Sequence, residues 1–138
     1  MAGKFSFTVS AEIANIPLIT DSIADYLTSA GVITDIIPDI ELAVDEAVTN
    51  IVLHGYKKGP GTIAITCTIT GTAVQIAIRD SAPAFNPLTI PPPDISADLA
   101  DRVAGGMGIF LIRKVMDGVE YEYTEGQNVL TMEKKVPG

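Results

Sequence analysis

ELAVDEAVTNIVLHGY, Glu41 to Tyr56, places apolar residues at helical spacing and adds an acid, an amide and an imidazole at a four-residue step. At 100° per residue, Ile40, Ala43, Val44, Ala47, Val48 and Ile51 share one arc, while Glu41, Asp45 and Thr49 share a solvent arc. The first arc is expected to face a sheet. Glu46, Asn50 and His54 fall beside it, with Leu42 and Leu53 on their other side, so they line a seam rather than open water. A carboxylate and an amide one turn apart can hold a hard cation such as Mg²⁺ through oxygen, and the carboxylate can accept a proton from a hydroxyl. The ordinary alternative is boundary polarity, with Asn50 bonded to backbone and His54 closing the helix. On this helix alone the ordinary alternative stands ahead.

Working outward, FSFTV (Phe5 to Val9) alternates as a strand does and ends in Ser10, an expected N-cap for a helix over Ala11 to Ala30. Pro17 marks a kink or a late start in that helix, and Gly31 closes it. The second helix is expected from Ile37 to Tyr56, stopped by KKGPG at Lys57 to Gly61. TIAITCTIT and AVQIAIRD then form a hairpin about Gly71-Thr72. From Ser81 to Ala104 the chain contains three consecutive prolines, Pro91 to Pro93, which exclude helix and central strand. A loop of that length is more often a functional lid than a plain connection. GGMG leads into a third helix, IFLIRKVMD, and VEYEYT and NVLTMEKK follow as strands around Glu125-Gly126. Helices that do not alternate regularly with strands indicate an α+β fold, a mostly antiparallel sheet covered on one face by helices.

The 138 residues suit one domain, with no internal repeat and no second unit. No uninterrupted apolar run is long enough to cross a bilayer. The N-terminus lacks the apolar core of a secretory signal and Cys67 stands alone, which together favour a reducing cytoplasm. A formal charge of −8, from 17 acidic and 9 basic residues without a basic cluster, disfavours nucleic acid or an anionic membrane as a direct partner. An anionic ligand would then depend on backbone N–H groups or a metal.

Two further stretches shift the balance on the Glu46 row. Asp80 ends an apolar strand, where a carboxylate aimed into a cleft can accept a hydrogen bond from an exocyclic amine; otherwise it is a turn-initiating Asp before Ser81 and Pro83. Gly105, Gly106, Met107 and Gly108 stand directly before a helix, where backbone N–H groups and the helix dipole can receive phosphate oxygens; otherwise they are a hinge.

Acid-x3-Asn on a helix, Asp at a strand end, a long loop and then GGxG at a helix start resemble the N, G1 and G2 boxes of the gyrase, chaperone, histidine-kinase and mismatch-repair ATPase superfamily. Within it the chain resembles the short anti-sigma-factor serine/threonine kinases from Phe5 to Lys135. ELAVDEAVTNIVLHGY is similar to their N box, and GGMGIFLIRKVMD to their G2 box. The resemblance implies a two-layer, Bergerat-type ATP-binding fold over residues 1–138, with a lid at about 81–104. It implies ATP or ADP and Mg²⁺ as ligands. Glu46 is the implied base toward a serine or threonine hydroxyl, Asn50 the metal ligand and Asp80 the adenine reader. Gly105, Gly106, Met107 and Gly108 are the implied phosphate cradle, with Thr131 near the adenine and Arg102 approaching the γ-phosphate. His54 is expected to be structural. The implied partners are an anti-sigma antagonist, a sigma factor or another switch target, and a second copy of the chain.

One departure stands out. Ala82 occupies a position where the G1 box usually has glycine, and its methyl is expected to tighten the pocket or change the turn. Besides the kinase, two readings remain at this level: a nucleotide-gated partner-switching module without phosphate transfer, and a two-component histidine-kinase catalytic domain. Glu46 favours the kinase over the pure binder. The absence of a helical segment carrying a phosphoacceptor histidine ranks the third reading last.

Overall fold

The computed structural model describes residues 3–89 and 106–137. In chain order these form β1 (Gly3–Ser10), a 3₁₀ turn (Ile13–Asn15), α1 (Ile16–Ser29), a second 3₁₀ turn (Thr34–Ile36) and α2 (Ile37–Asn50), which runs on as a π turn (Ile51–Gly55). There follow β2 (Thr62–Ile69), β3 (Ala73–Asp80), a 3₁₀ turn (Pro87–Thr89), α3 (Gly106–Val115), β4 (Gly118–Thr124) and β5 (Gln127–Lys135). The strands form a sheet in the order β1-β2-β3-β5-β4, with every neighbouring pair antiparallel. The helices cover one face, which is the α+β arrangement expected from the element order.

Alternation along the strands decides which face that is. Ile63, Ile65, Cys67 and Ile69 on β2 are buried, as are Val74, Ile76 and Ile78 on β3 and Leu130 and Met132 on β5. They meet Ile16, Ile19, Ile23 and Leu27 of α1, the buried stripe of α2 from Ile37 to Val48, and Ile109 and Ile112 of α3. Burying an aliphatic side chain of this size contributes about 1.5–3 kcal/mol. The ion pair between Lys134 Nζ and Asp39 Oδ2, at 3.0 Å, is partly exposed and belongs to a class that contributes about 0–1 kcal/mol. The apolar layer therefore holds the two faces together, and Lys134, which also donates to Val115 O at 2.6 Å, sets where the end of α3 lies.

Two helix boundaries differ from the sequence expectation. Ser10 is not an N-cap: it stays in β1, paired with Thr62, and its carbonyl accepts from Asn15 Nδ2 at 2.9 Å. The α-helix begins at Ile16 instead, because Pro17 lacks an N–H and has a fixed φ, both of which suit the first helical turn. Gly31 ends the helix as expected, with φ +85°. The second difference is the widening of α2 after Asn50. Tyr56 N bonds to Ile51 O at 2.8 Å, a span of five residues, so the strict four-residue step of the Glu46 row stops at Asn50. Lys57 and Lys58 then turn the chain with φ +53° and +62°. The turn at Glu125-Gly126 also has two positive φ values, +52° and +77°, the form that suits a two-residue hairpin.

The register makes a paired prediction. Ile76→Ala empties a fully buried site and should lower the unfolding free energy by about 2–5 kcal/mol. Its neighbour Gln75 is exposed on the other face, and Gln75→Ala should change it by less than about 0.5 kcal/mol. Urea unfolding of both variants checks the assignment; a register shifted by one residue would exchange the two effects.

Candidate functional site

At the end of β3 the alternation that buries Ile76 and Ile78 also points Asp80 toward the helices, and the register places Asn128 of β5 opposite it. Both are nearly closed to solvent, at 6% and 7% exposure. They border a cavity of about 280 Å³ between sheet and helices. Asn50 and Ile51 at the end of α2, Ile109 and Ile112 of α3, Tyr121 of the edge strand β4 and Leu130 of β5 supply its walls. These walls are largely apolar with a few convergent polar groups, the usual make-up of a small-molecule pocket.

Asp80 is held asymmetrically. Its Oδ1 accepts from Ala82 N and from Asn128 Nδ2, each at 3.0 Å, while Oδ2 has no hydrogen-bond partner among the described residues. Burial raises the carboxyl's pKa above the ordinary aspartate value, and the bonds from Asn128 and Ala82 pull it back down. One oxygen is thus fixed by the protein and the other is available to a donor in the cavity.

Ala82 does not narrow this cavity. Its methyl is 3% exposed, is not part of the cavity wall, and lies against Gly55, where an added Cβ would come within 3.3 Å of it. The turn tolerates alanine because Ala82 has no positive φ. The missing glycine of the G1 box is therefore matched by a glycine across the contact, at the end of the π turn.

Deeper along α2, Glu46 and Asn50 converge on Gly108. A Cβ built on Gly108 would stand 3.1 Å from Glu46 Oε2 and 3.1 Å from Asn50 Nδ2. A side chain at Gly108 would be tighter than ordinary contact and would make the Glu46 and Asn50 side chains give by a few tenths of an ångström. Burial, with a smaller contribution from neighbouring Asp45, raises Glu46 above the ordinary glutamate pKa, which makes its carboxylate a better proton acceptor. Gly106 and Met107 occupy the first turn of α3, where backbone N–H groups lack helical partners. Among the described residues no group of three His, Cys, Asp or Glu could hold a metal alone. Asn50 Oδ1 would suit as one oxygen ligand to Mg²⁺ carried by a phosphorylated ligand, since Mg²⁺ commonly takes few protein ligands and keeps phosphate oxygens and water.

The other sequence candidates separate. His54, expected to be structural, is exposed and lines the cavity. Thr131 lies on the opposite sheet face, paired with Ala77 and Glu120, because the strand alternation that turns Leu130 and Met132 inward turns Thr131 outward. It does not reach the cavity. Arg102 and Gly105 lie outside the described residues. Of the expected lid, Ser81–Thr89 is fastened: Ser81 N donates to Tyr56 Oη at 2.7 Å, Phe85 N to Asn128 Oδ1 at 3.1 Å, and Arg113 to Leu88 O at 3.0 Å. Residues 90–104 of that expectation lie outside the described residues. Sequence reasoning missed Asn128, Tyr121, Phe85 and Tyr56. Only Asn128 left a trace, as a polar residue in phase with Leu130 and Met132.

Residues 9–134 match the family described as the histidine kinase-like ATPase domain. The chain belongs to that family. Within it, the chain is similar to the curated serine-protein kinase RsbW of Bacillus thuringiensis (strain Al Hakam), at 30% identity over 131 residues, covering 92% of this chain and 82% of the relative. The corresponding protein of Bacillus anthracis (strain CDC 684 / NRRL 3495) is 31% identical over the same coverage. These matches place the chain in the anti-sigma-factor serine kinase group of the histidine kinase-like ATPases. Solved structures agree on the fold. The RsbU and RsbW domains of a Mycobacterium tuberculosis protein align with a TM-score of 0.70 at 18% identity, covering 97% of this chain and 32% of that one. The SiaB–SiaC complex of Pseudomonas aeruginosa aligns at 0.59 and 12% identity, over 96% of this chain.

The asymmetric Asp80 makes a stability prediction. Because its folded pKa lies above the unfolded value, the folded state holds the proton more tightly, and stability falls as pH rises through that window. Asp80→Asn keeps an oxygen for Ala82 N and Asn128 and removes the buried charge. This ATPase domain should therefore unfold at higher denaturant as Asp80→Asn than as wild type at pH 8, with the gap narrowing toward pH 4. Guanidinium midpoints at the two pH values check it; a wild type more stable at pH 8 would contradict the assignment.

Proposed function

We propose that the chain is an anti-sigma regulatory factor and ATP-dependent protein serine/threonine kinase that phosphorylates a small antagonist protein and in its other state holds a sigma factor or a comparable target. The observation that carries this reading is the convergence of Glu46 and Asn50 on Gly108. An acid of raised pKa, an oxygen ligand and a helix start are gathered there, while an apolar cavity with one unshared acceptor lies alongside. A kinase needs these parts together, and the similarity to curated serine-protein kinases supports the same reaction class.

In this reading the purine lies in the cavity and donates its exocyclic N–H to Asp80 Oδ2. The phosphates run toward the first turn of α3, where Gly106, Met107 and Gly108 offer backbone N–H groups. Asn50 would hold Mg²⁺ brought by the nucleotide, which would supply neutralisation of charge on the transferred group. Glu46 takes the proton from the incoming serine or threonine hydroxyl. That oxygen bonds to the γ-phosphorus as the bond to the β–γ bridging oxygen breaks, and ADP leaves. In this reading the ATPase domain works in the cytoplasm, alone or as a homodimer, without direct contact to nucleic acid or membrane.

Glu46→Gln should retain most nucleotide affinity and lower phosphate transfer by about 10²–10⁴-fold, as loss of a general base does. Asn50→Ala should instead weaken Mg²⁺-dependent nucleotide binding. Wild-type transfer should fall as pH drops, with the acidic limb above the ordinary glutamate value of 4.5, because the base must be ionised. The assay is transfer from labelled ATP to a co-encoded antagonist, beside a calorimetric titration of each variant. A wild type that binds both ATP and antagonist yet transfers nothing replaces the kinase with a nucleotide-gated partner-switching module.

A further inference from the structure

One hydrogen bond joins the helix wall of the cavity to its loop wall. The π turn contributes His54 and Gly55 to the lining, and the loop after β3 contributes Pro83, Phe85 and Pro87. Asn128 bonds this loop to the sheet, and Arg113 bonds it to α3. Among the described residues its only hydrogen bond to the extension of α2 runs from Ser81 N to Tyr56 Oη, at 2.7 Å. The β3 ladder ends at Asp80, so the Ser81 N–H has no strand partner and depends on that hydroxyl.

Tyr56 is set for this bond from two sides. Its hydroxyl donates to Thr62 O at 2.8 Å, which commits the only proton it has and turns a lone pair to Ser81 N. Its ring lies across Gly61, where an added Cβ would collide with the ring carbons. Beside the bond, the Ala82 methyl meets Gly55 of the π turn, so loop and helix end close on each other at that point. Tyr56 itself does not line the cavity.

We propose that Tyr56 is a positioning residue whose hydroxyl latches the loop after β3 to the end of α2, and so sets how long a nucleotide stays in the cavity. The inference rests on the nucleotide reading above and adds the group that keeps two of the cavity's walls together. A ligand enclosed by helix and loop leaves when they part, and Tyr56 opposes the parting without touching the ligand. Its loss therefore acts on dissociation more than on encounter. The start of α3 is placed separately, by the approach of Gly108 to Glu46 and Asn50, so contacts to phosphate there are spared.

The test is stopped-flow displacement of Mg-methylanthraniloyl-ADP, a fluorescent nucleotide, by excess ATP. Tyr56→Phe keeps the ring on Gly61 and removes the acceptor of Ser81 N; it should speed dissociation by about tenfold and leave association nearly unchanged. Calorimetry with Mg-tripolyphosphate, which has no base, should give the same affinity for both proteins. Gly61→Ala displaces the ring and should speed dissociation in the same direction, while adding little in the Tyr56→Phe background, because both changes break one bond. Thermal unfolding shows whether the variants fold. If they do not, hydrogen exchange of the wild-type Ser81 amide decides: bound ADP should slow it, and an amide that exchanges freely with or without ADP would overturn the latch. An unchanged dissociation rate in Tyr56→Phe, or equal losses for fluorescent ADP and tripolyphosphate, would make Tyr56 a strut of the fold only and leave the nucleotide reading intact. A wild type that binds no fluorescent ADP would overturn both.

Discussion

The site depends on the pairing of β3 with β5. The chain leaves the sheet at Asp80, makes its loop, α3 and β4, and returns at Gln127 to run antiparallel beside the strand it left. That closure sets Asp80 and Asn128 side by side on the inward face, and everything between them is an excursion whose ends are fixed by the ladder. A slip of one residue would turn both polar side chains to the outer face and bring Arg79 and Val129 in. The buried neighbours Ile76, Ile78, Leu130 and Met132 resist that slip, because each would lose its place in the apolar layer. The core thus fixes the position of two polar groups that contribute little to it.

The π turn is the second device. It widens α2 by one residue after Asn50, and in doing so carries His54 to the cavity and Gly55 against Ala82. Wide turns of this kind are rare and cluster at functional sites. The chain leaves it through Lys57 and Lys58 in the left-handed region, a conformation that costs a lysine about 1–2 kcal/mol. Lys58 N to Val52 O and Gly59 N to Tyr56 O, both 2.8 Å, hold it there. Tyr56 then fastens the start of the loop after β3, so one local irregularity positions a wall, a packing contact and a loop end.

Much of this was legible in the sequence, and the remainder was not for identifiable reasons. The order of strands and helices followed from period-two and period-3.6 patterns, and the buried stripe from Ile40 to Val48 appears as the helical wheel gives it. The Glu46–Asn50 pair could be singled out by its one-turn spacing beside the apolar arc, and Asp80 because it ends an apolar strand. Thr131 was misplaced because β5 reads NVLTMEKK, where Val129 and Leu130 are both buried and the alternation is ambiguous until the partner strand is known. Asn128 went unread for a related reason: its role exists only across the ladder, with Asp80 forty-eight residues away in sequence. The π turn has no composition signal at all, since its geometry is set by what Gly55 and Tyr56 pack against.

The two ends of the site are linked through one element. Asn50 lines the cavity that Asp80 borders and also touches Gly108 at the start of α3. Glu46 to Gly55 spans roughly 13 Å of helix, enough to run from the α3 contact to the loop contact at Ala82. Neither the half-buried Glu46 nor the buried Asp80 pairs with a lysine or arginine among the described residues. Desolvation raises the pKa of both, so each is a stability cost carried by the surrounding apolar layer. Replacing either with a neutral residue would relieve that cost. Their presence together, Glu46 on α2 beside Gly108 of α3 and Asp80 at the end of β3, is the pattern of a site built for a charged ligand rather than for the fold.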